Sequence, residues 1–414
     1  MAESRASKLK FQFLVDYHQP GSNTAAFMKA MESPRSAGAP SAALARYESA
    51  LHALAAQNRL RALRPQSGVD FSSNDYLGLA ASARMRSALT TALARGTAIG
   101  AGGSRLLRGN APEHEELEAK AATFFHAERT LFFSSGYAAN SALFATLPQK
   151  DDLVILDELI HASSREGVRA GRAASVESLH NDVASVEDSI RTWRAAGGLG
   201  QIWIAAESLY SMDGDRAPLS DLMTLADKHD AFLVIDEAHA TGVFGTDGRG
   251  LAENIEGRDN VIVLHTCGKA LGSAGALLSL PLSLRDFLVN RCRAFIFSTA
   301  PSPLMAVAAL EALAILKDEP QRREALSSLV AYAGHQAKGH ALPVSGSQIF
   351  PVIIGDDLGA MQIASGLRER GFDVRGVRPP TVPKGTARLR ISITLNVTEA
   401  AIAGLFDALA ELRE

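Results

Sequence analysis

Cysteine is scarce: Cys267 and Cys292 are the two in a chain of 414 residues. That excludes a disulfide framework and points to a reducing compartment. Long apolar runs are lacking as well. None approaches the roughly 20 residues that span a bilayer. The early stretch Phe11-Gln12-Phe13-Leu14-Val15 is cut short by Asp16 and His18, before it reaches the length of a secretory signal. The expected place is the cytoplasm, away from membranes. There is no large charge excess either, with 42 Lys and Arg against 45 Asp and Glu. A net charge of −3 argues against a general nucleic-acid binder and leaves room for a local basic patch. No internal repeat or sustained heptad is evident, and no grouping of side chains suggests a metal site.

What is present describes an ordinary globular protein, 47% hydrophobic and 21% charged. The length exceeds one ordinary core, so two domains are expected. Residues 1–40, with Gly21-Ser22-Asn23 and Ser33-Pro34-Arg35-Ser36, have linker composition and read as an extension, partly disordered. An Ala- and Leu-rich helix is predicted from Ser41 to Leu63, ending before Pro65. It opens a helical and strand segment over 41–90. Over 91–300 the pattern alternates. Short apolar runs at Thr130–Phe133, Leu153–Leu156, Ile202–Ala205, Phe232–Ile235, Val261–Leu264 and Ala276–Leu280 are separated by amphipathic stretches such as Asp182–Trp193 and Leu219–His229. Strands apolar on both faces and joined by helices predict an α/β fold whose central sheet is mostly parallel and covered by helices. Over 301–414 the order changes to two helices, Leu304–Lys317 and Gln321–Lys338, then strand Ile349–Ile354, helix Leu358–Arg370, strand Arg388–Ile393 and helix Thr398–Leu412. This predicts a smaller C-terminal α+β domain.

In a parallel sheet, ligands bind at the carboxyl ends of strands, and there the chemistry-bearing residues collect. Asp236-Glu237-Ala238-His239 follows one strand. Thr266-Cys267-Gly268-Lys269 follows the next. A strand-end Asp-x-x-His followed by a lysine in a Gly-rich turn is a layout for holding pyridoxal phosphate (PLP). Lys269 forms a Schiff base with the cofactor aldehyde, and the Asp236 carboxylate keeps the pyridine nitrogen protonated. The competing reading of Asp236 is a helix cap. His239 can hydrogen-bond the ring hydroxyl, and Thr266 can donate to the phosphate. Cys267, beside the lysine, reads as a small space-filler.

Ser134-Ser135-Gly136-Tyr137 opens a helix after a strand, and backbone N–H groups at a helix start suit a phosphate. Tyr137 either covers a ring edge or is a packed aromatic. His161 either stacks on the cofactor ring or is a surface residue. Ser211 is a donor near the phenolic oxygen, and Glu207 either bonds an entering acyl substrate or positions the loop 207–215. Phe297-Ser298-Thr299 is a second hydroxyl-rich turn, whose role composition does not define. Arg388 and Arg390 share one face of a strand, and either is placed to clamp a carboxylate with two parallel hydrogen bonds.

These residues, with Phe71-Ser72-Ser73-Asn74-Asp75-Tyr76-Leu77-Gly78-Leu79 and Gly102-Gly103-Ser104-Arg105-Leu106, resemble the fold-type I PLP enzymes, and more narrowly the α-oxoamine synthases. That family condenses an amino acid with an acyl thioester and releases carbon dioxide. The resemblance runs from about residue 41 to the end. Arg378-Pro379-Pro380-Thr381-Val382-Pro383 and Gly385-Thr386-Ala387-Arg388-Leu389-Arg390 are most similar to members that join L-alanine to a pimeloyl thioester in biotin synthesis. The resemblance implies that Lys269 carries PLP, Asp236 pairs with its ring nitrogen and His161 stacks on the ring. It places Ser211 and His239 near the hydroxyl, with Gly136, Tyr137 and Thr266 bordering the cofactor. It also implies that Arg390 holds the alanine carboxylate, that Thr381 and Asn74 line the substrate site and that Arg61 lies near the acyl chain. Thr299 would reach the phosphate of a neighbouring subunit, which implies a homodimer with shared sites. Cys267 and residues 1–40 depart from the family pattern. The rivals are sister synthases that use glycine or serine, an aminotransferase, and a non-catalytic scaffold, which typically lacks the lysine.

Overall fold

Five- and six-residue strands rich in Val, Ile and Leu build the centre of the protein. The computed structural model describes residues 42–413, so the expected extension over 1–40 lies outside the described residues. In chain order the strands are β1 (Val69–Asp70), β2 (Arg129–Phe133), β3 (Leu153–Asp157), β4 (Ala174–Ser178), β5 (Ile202–Glu207), β6 (Phe232–Asp236), β7 (Val261–Thr266), β8 (Ala276–Leu280), β9 (Ile349–Gly355), β10 (Phe372–Asp373), β11 (Arg375–Val377) and β12 (Ala387–Ser392). Seven of them form one sheet in the order β2-β8-β7-β6-β5-β3-β4. Strands β4, β3, β5, β6 and β7 are mutually parallel, and β8 runs antiparallel to both of its neighbours. The mostly parallel sheet read from the sequence is present, and each expected run in it is a strand.

Strands β3, β5 and β7 are buried along their whole length, because helices cover both faces of the sheet. On one face, Leu131, Leu264 and Leu278 pack with Leu143 and Phe144 of helix Gly136–Thr146. On the other, Ile155, Ile204, Ile235 and Val263 meet Ile190 and Leu222 of helices Val183–Ala195 and Leu219–Lys228. A second sheet, β11-β12-β9, is antiparallel. Its residues Phe350, Leu389 and Ile391 share a hydrophobic cluster with Tyr76, Phe132 and Leu271. Burial of that cluster brings β12 against the carboxyl ends of the large sheet.

Two expectations need correction. The helix predicted to reach Leu63 stops at Ala56. Asn58 adopts φ +56°, a left-handed conformation that Asn tolerates and a helix does not. Strand β4 was not expected. Four of its five residues are exposed, so it carries no apolar run.

A buried ion pair ties residues 102–110 to β2. Glu118 accepts from Arg105 Nη1 at 2.8 Å and Nη2 at 3.0 Å, and from the Phe132 N–H at 2.8 Å. Glu118→Ala leaves a buried guanidinium and a strand N–H without their acceptor. The expected loss is about 3–5 kcal/mol, read as a drop in the denaturant midpoint. An unchanged midpoint would remove this pair from the account of the fold.

Candidate active site

Strand β7 ends at Thr266, and the chain turns through Lys269 into β8. The turn is closed by Cys267 N–H to the Gly275 carbonyl at 2.9 Å, Gly272 N–H to the Lys269 carbonyl at 2.8 Å and Ser273 N–H to the Cys267 carbonyl at 2.8 Å. Gly272 has φ +59°, and a Cβ there would lie 2.4 Å from the backbone nitrogen of Ala80. Only glycine fits that approach. Lys269 is thereby held rigidly at the strand end.

Its Nζ lies 2.7 Å from His239 Nε2, and His239 Nδ1 lies 2.7 Å from the Tyr76 hydroxyl. Tyr76 donates to Asn74 Oδ1 at 2.9 Å and accepts from Arg390 Nη2 at 3.2 Å. With the Tyr76 proton directed to Asn74, Nδ1 of His239 is the donor to Tyr76 and Nε2 the acceptor from Lys269. Burial, then the charges of Lys269 and Arg390, keep the His239 pKa well below the ordinary imidazole range, so the ring is neutral. Burial also depresses the Lys269 amine to about 8, against the pull of Asp236 and Glu207. Gln348, just before β9, fixes the His239 backbone, its Nε2 donating to the His239 carbonyl at 2.7 Å.

Asp236 ends β6 and is buried. Its Oδ1 accepts from the Ala238 N–H at 2.9 Å and its Oδ2 from Asn140 Nδ2 at 2.7 Å. The same Asn140 amide reaches Ser163 Oγ at 3.0 Å, and Ser163 Oγ lies 2.7 Å from His161 Nδ1. One buried asparagine thus links the carboxylate to the imidazole. Gly136 opens the helix that carries Asn140, and the Ser135 side chain caps it by accepting from the Ala138 N–H at 3.1 Å. A Cβ on Gly136 would come within 3.4 Å of Thr266 Oγ1, so the helix start and that hydroxyl form one edge. Tyr137 is exposed there, its ring 6.3 Å from that of His161 and at 82° to it.

The third part of the site is the turn after β5. Buried Glu207 accepts from the Ser211 N–H at 3.2 Å and so ties the start of the turn to β5. Its Oε1 is buried, and the His161 backbone N–H is directed toward the carboxyl group. Burial, with the nearby Asp236 charge, raises the Glu207 carboxyl to about 8. The turn also separates the two arginines of β12. Arg388 pairs with the Asp213 carboxylate. Arg390 bonds the Ser211 carbonyl at 2.6 Å, Ser392 Oγ at 2.7 Å and Tyr76, all of them neutral. Among the described residues Arg390 has no carboxylate within ion-pair distance, so of these two arginines it is the one whose buried charge is unpaired.

Arg61 and Thr381 are exposed and meet at 3.2 Å, Arg61 Nη2 to Thr381 Oγ1. Thr299 is exposed on the turn 297–302 and stands outside these hydrogen-bond chains. The structure therefore joins Lys269, His239, Asn74 and Arg390 in one network and Asp236 and His161 in another, with Glu207 and Ser211 bridging to Arg390. Sequence reasoning missed Tyr76, Asn140, Ser163 and Gln348 as members. Asn140 alone carried a signal, lying one helical turn after Gly136.

The donor set fits PLP. It offers an amine, a buried carboxylate for a ring nitrogen, an imidazole, and a helix N-terminus beside a threonine hydroxyl for a phosphate. The family model for aminotransferase class I and II matches residues 66–409. The 8-amino-7-oxononanoate synthase of Anaeromyxobacter sp. (strain K) is 43% identical over 345 residues, covering 83% of this chain and 85% of its own. That of Chromobacterium violaceum is 40% identical over 345 residues, with 83% and 88% covered. Among solved structures, serine palmitoyltransferase from S. paucimobilis with PLP and myriocin bound superimposes with a TM-score of 0.80 at 26% identity, covering 89% of this chain and 98% of that one. The 8-amino-7-oxononanoate synthase of Francisella tularensis gives 0.71 at 26% identity, with 83% and 97% covered. With that lysine, that aspartate and those relatives, the chain belongs to the aminotransferase class I and II family of PLP-dependent enzymes, in its 8-amino-7-oxononanoate synthase branch.

Proposed function

We propose that the chain condenses L-alanine with a pimeloyl thioester and releases 8-amino-7-oxononanoate, carbon dioxide and the free thiol carrier. It does so in the cytoplasm, as a homodimer with shared sites. The carrying observation is Arg390, a buried cation with only neutral partners that is joined through Tyr76 and His239 to Lys269. This is a carboxylate clamp linked to the cofactor lysine, the arrangement an α-amino acid requires. The names of the relatives supply the product.

Bound PLP supplies an electron sink for the carbanion at the alanine α-carbon. Arg390 holds the alanine carboxylate and so fixes the orientation of the α-carbon. Lys269, as a free amine, takes the α-proton and returns a proton after carbon dioxide has left. Asp236 would keep a proton on the pyridine nitrogen, and His161 would cover one face of the ring. Neutral His239 and Ser211 would hold the ring hydroxyl, Thr266, Gly136 and Tyr137 would border the cofactor, and Thr299 would serve the phosphate of the neighbouring subunit. Glu207, whose carboxyl burial raises to about 8, is protonated near neutral pH and would donate to the thioester carbonyl. Asn74, Thr381 and Arg61 line the path of the acyl chain.

A second reading, serine with a long acyl thioester, is favoured by the TM-score of 0.80 to serine palmitoyltransferase. Thiol release from PLP-loaded protein separates the two. Alanine with pimeloyl-coenzyme A or pimeloyl-carrier protein is expected to release thiol. Release confined to serine with palmitoyl-coenzyme A, or to glycine with acetyl- or succinyl-coenzyme A, would overturn the alanine assignment.

The depressed Lys269 pKa predicts how cofactor-free protein captures PLP. The neutral amine is the nucleophile, so capture accelerates as pH rises and is half-maximal near about 8. Stopped-flow absorbance at several pH values reads this directly. A midpoint near 10.5, the ordinary lysine value, would show that the amine is not desolvated.

A further inference from the structure

His180 takes no part in the chemistry above, yet each of its ring nitrogens meets a carboxylate. It sits just after β4. Its Nδ1 lies 2.9 and 3.1 Å from the two carboxylate oxygens of Asp157, at the end of β3. Its Nε2 lies 2.8 Å from Asp215 Oδ2, in the turn after β5. Carboxylates accept and do not donate, so both ring nitrogens carry protons and the ring is an imidazolium. Asn181 reinforces the tie. Its N–H donates to Asp157 Oδ2 at 2.8 Å and its Nδ2 to Asp215 Oδ2 at 2.7 Å. The Tyr210 ring stands edge-on to His180 at 4.4 Å. The other charged groups on the surrounding elements are Glu158, whose Oε1 accepts the His180 N–H at 3.0 Å, Glu177 on β4 with its partner Arg165, Asp182 at the start of the next helix, Glu207 at the end of β5, and Asp213 and Arg216 on the turn.

The turn anchored in this way is the one that holds the arginines of β12. Tyr210 N–H bonds the Asp215 carbonyl at 2.9 Å and Gly214 N–H bonds the Tyr210 carbonyl at 2.9 Å, so residues 210–215 move as one unit. From that unit the Ser211 carbonyl accepts from Arg390 Nε, and Asp213 pairs with Arg388. We propose that His180 is a positioning residue: an imidazolium clamped between Asp157 and Asp215, it fixes the 207–216 turn and through the Ser211 carbonyl aims Arg390 at the substrate carboxylate. The inference rests on the reading of Arg390 as that clamp. Burial opposes the charge on His180, but the hydrogen bonds to Asp157 and Asp215 outweigh it and raise the pKa to about 10. The folded-state value lies above the ordinary one. The stabilisation is therefore complete below pH 6.5 and fades as pH rises through about 10.

Three measurements test it. Nitrogen-15 NMR of histidine-labelled full-length protein is expected to show both His180 nitrogens protonated until pH approaches about 10. In PLP-loaded protein, His180→Gln is expected to raise KM for alanine roughly tenfold while kcat changes far less, as for loss of a binding geometry. Asp215→Asn, a milder change that leaves the ring in place, is expected to raise it in the same direction. The visible PLP band and its reduction by borohydride should be unchanged in both variants. A neutral His180 ring at pH 8, or an unchanged alanine KM in both variants, overturns the proposal. A parent protein that uses another amino acid overturns the alanine assignment instead, and the KM comparison is then made with that amino acid.

Discussion

Lys269→Ala protein is expected to lose at least about 10⁴-fold in turnover, since one substitution removes both the covalent attachment and the proton acceptor. The neighbours cannot substitute. His239, 2.7 Å from the amine, is held neutral by burial and by the charges around it, and its Nε2 is too weak a base to take an α-proton. Burial raises the Tyr76 pKa, against the pull of Arg390, so its hydroxyl stays protonated. The backbone of the turn does not depend on the lysine side chain, because its closing bonds run through Cys267, Gly272, Ser273 and Gly275. The fold should therefore survive, with a melting temperature near that of the parent. Three readouts belong together: thiol release, the visible band, and mass analysis of the Lys269 peptide after borohydride reduction. The band should weaken or shift, and the modified peptide should be absent. A variant retaining a tenth of the parental rate would show that the cofactor is attached elsewhere and would remove the basis of the mechanism.

The strand ends were legible because a parallel sheet buried on both faces writes itself as short apolar runs. The first polar residue after each run marks the carboxyl edge. Glu207, Asp236 and Thr266 are the last residues of β5, β6 and β7, and Lys269 follows three positions later. What the sequence hid has physical reasons. Tyr76 lies among apolar residues in a segment that reads as turn and core, and its hydroxyl acquires a role only when β12 and β6 close around it. Gln348 precedes an ordinary strand and becomes part of the site through a long-range bond to the His239 carbonyl. The choice between Arg388 and Arg390 could not be made from alternation, since both occupy one face. It is made by Asp213, which pairs with the first and leaves the second without an anion. Strand β4 forms at the sheet edge with four exposed residues, so hydrophobic patterning had nothing to detect. Contacts set by sequence-distant partners are what a single chain of letters conceals, while periodicity and strand-end chemistry are what it displays.

Asp236→Asn should cost roughly 10²- to 10⁴-fold in turnover with little loss of stability, and the contrast between the two effects is the point of the experiment. The parent carboxylate receives two donors, the Ala238 N–H and Asn140 Nδ2. An asparagine at 236 accepts one of them and presents its own NH₂ to the other. Rotating the Asn140 amide by half a turn removes that clash. Its oxygen then faces the new NH₂, and the Ser163 hydroxyl, 3.0 Å from Asn140 and 2.7 Å from His161 Nδ1, turns its proton from the imidazole to that oxygen while His161 Nδ1 keeps the Ser163 N–H at 3.2 Å. The polar network remains satisfied and the melting temperature should stay close to the parental value. What is lost is the negative charge. Without it, a proton on the pyridine nitrogen has no counter-ion in a buried site, and removing one partner of such a pair costs about 3–5 kcal/mol. The ring then withdraws electrons less strongly, and α-proton removal slows in the same proportion. Hydrogen–deuterium exchange at the alanine α-carbon, followed without the thioester, isolates that step. It should slow as much as thiol release does, while PLP still binds and still attaches to Lys269. Exchange at the parental rate in the variant would show that Asp236 orients the cofactor and does not hold its proton.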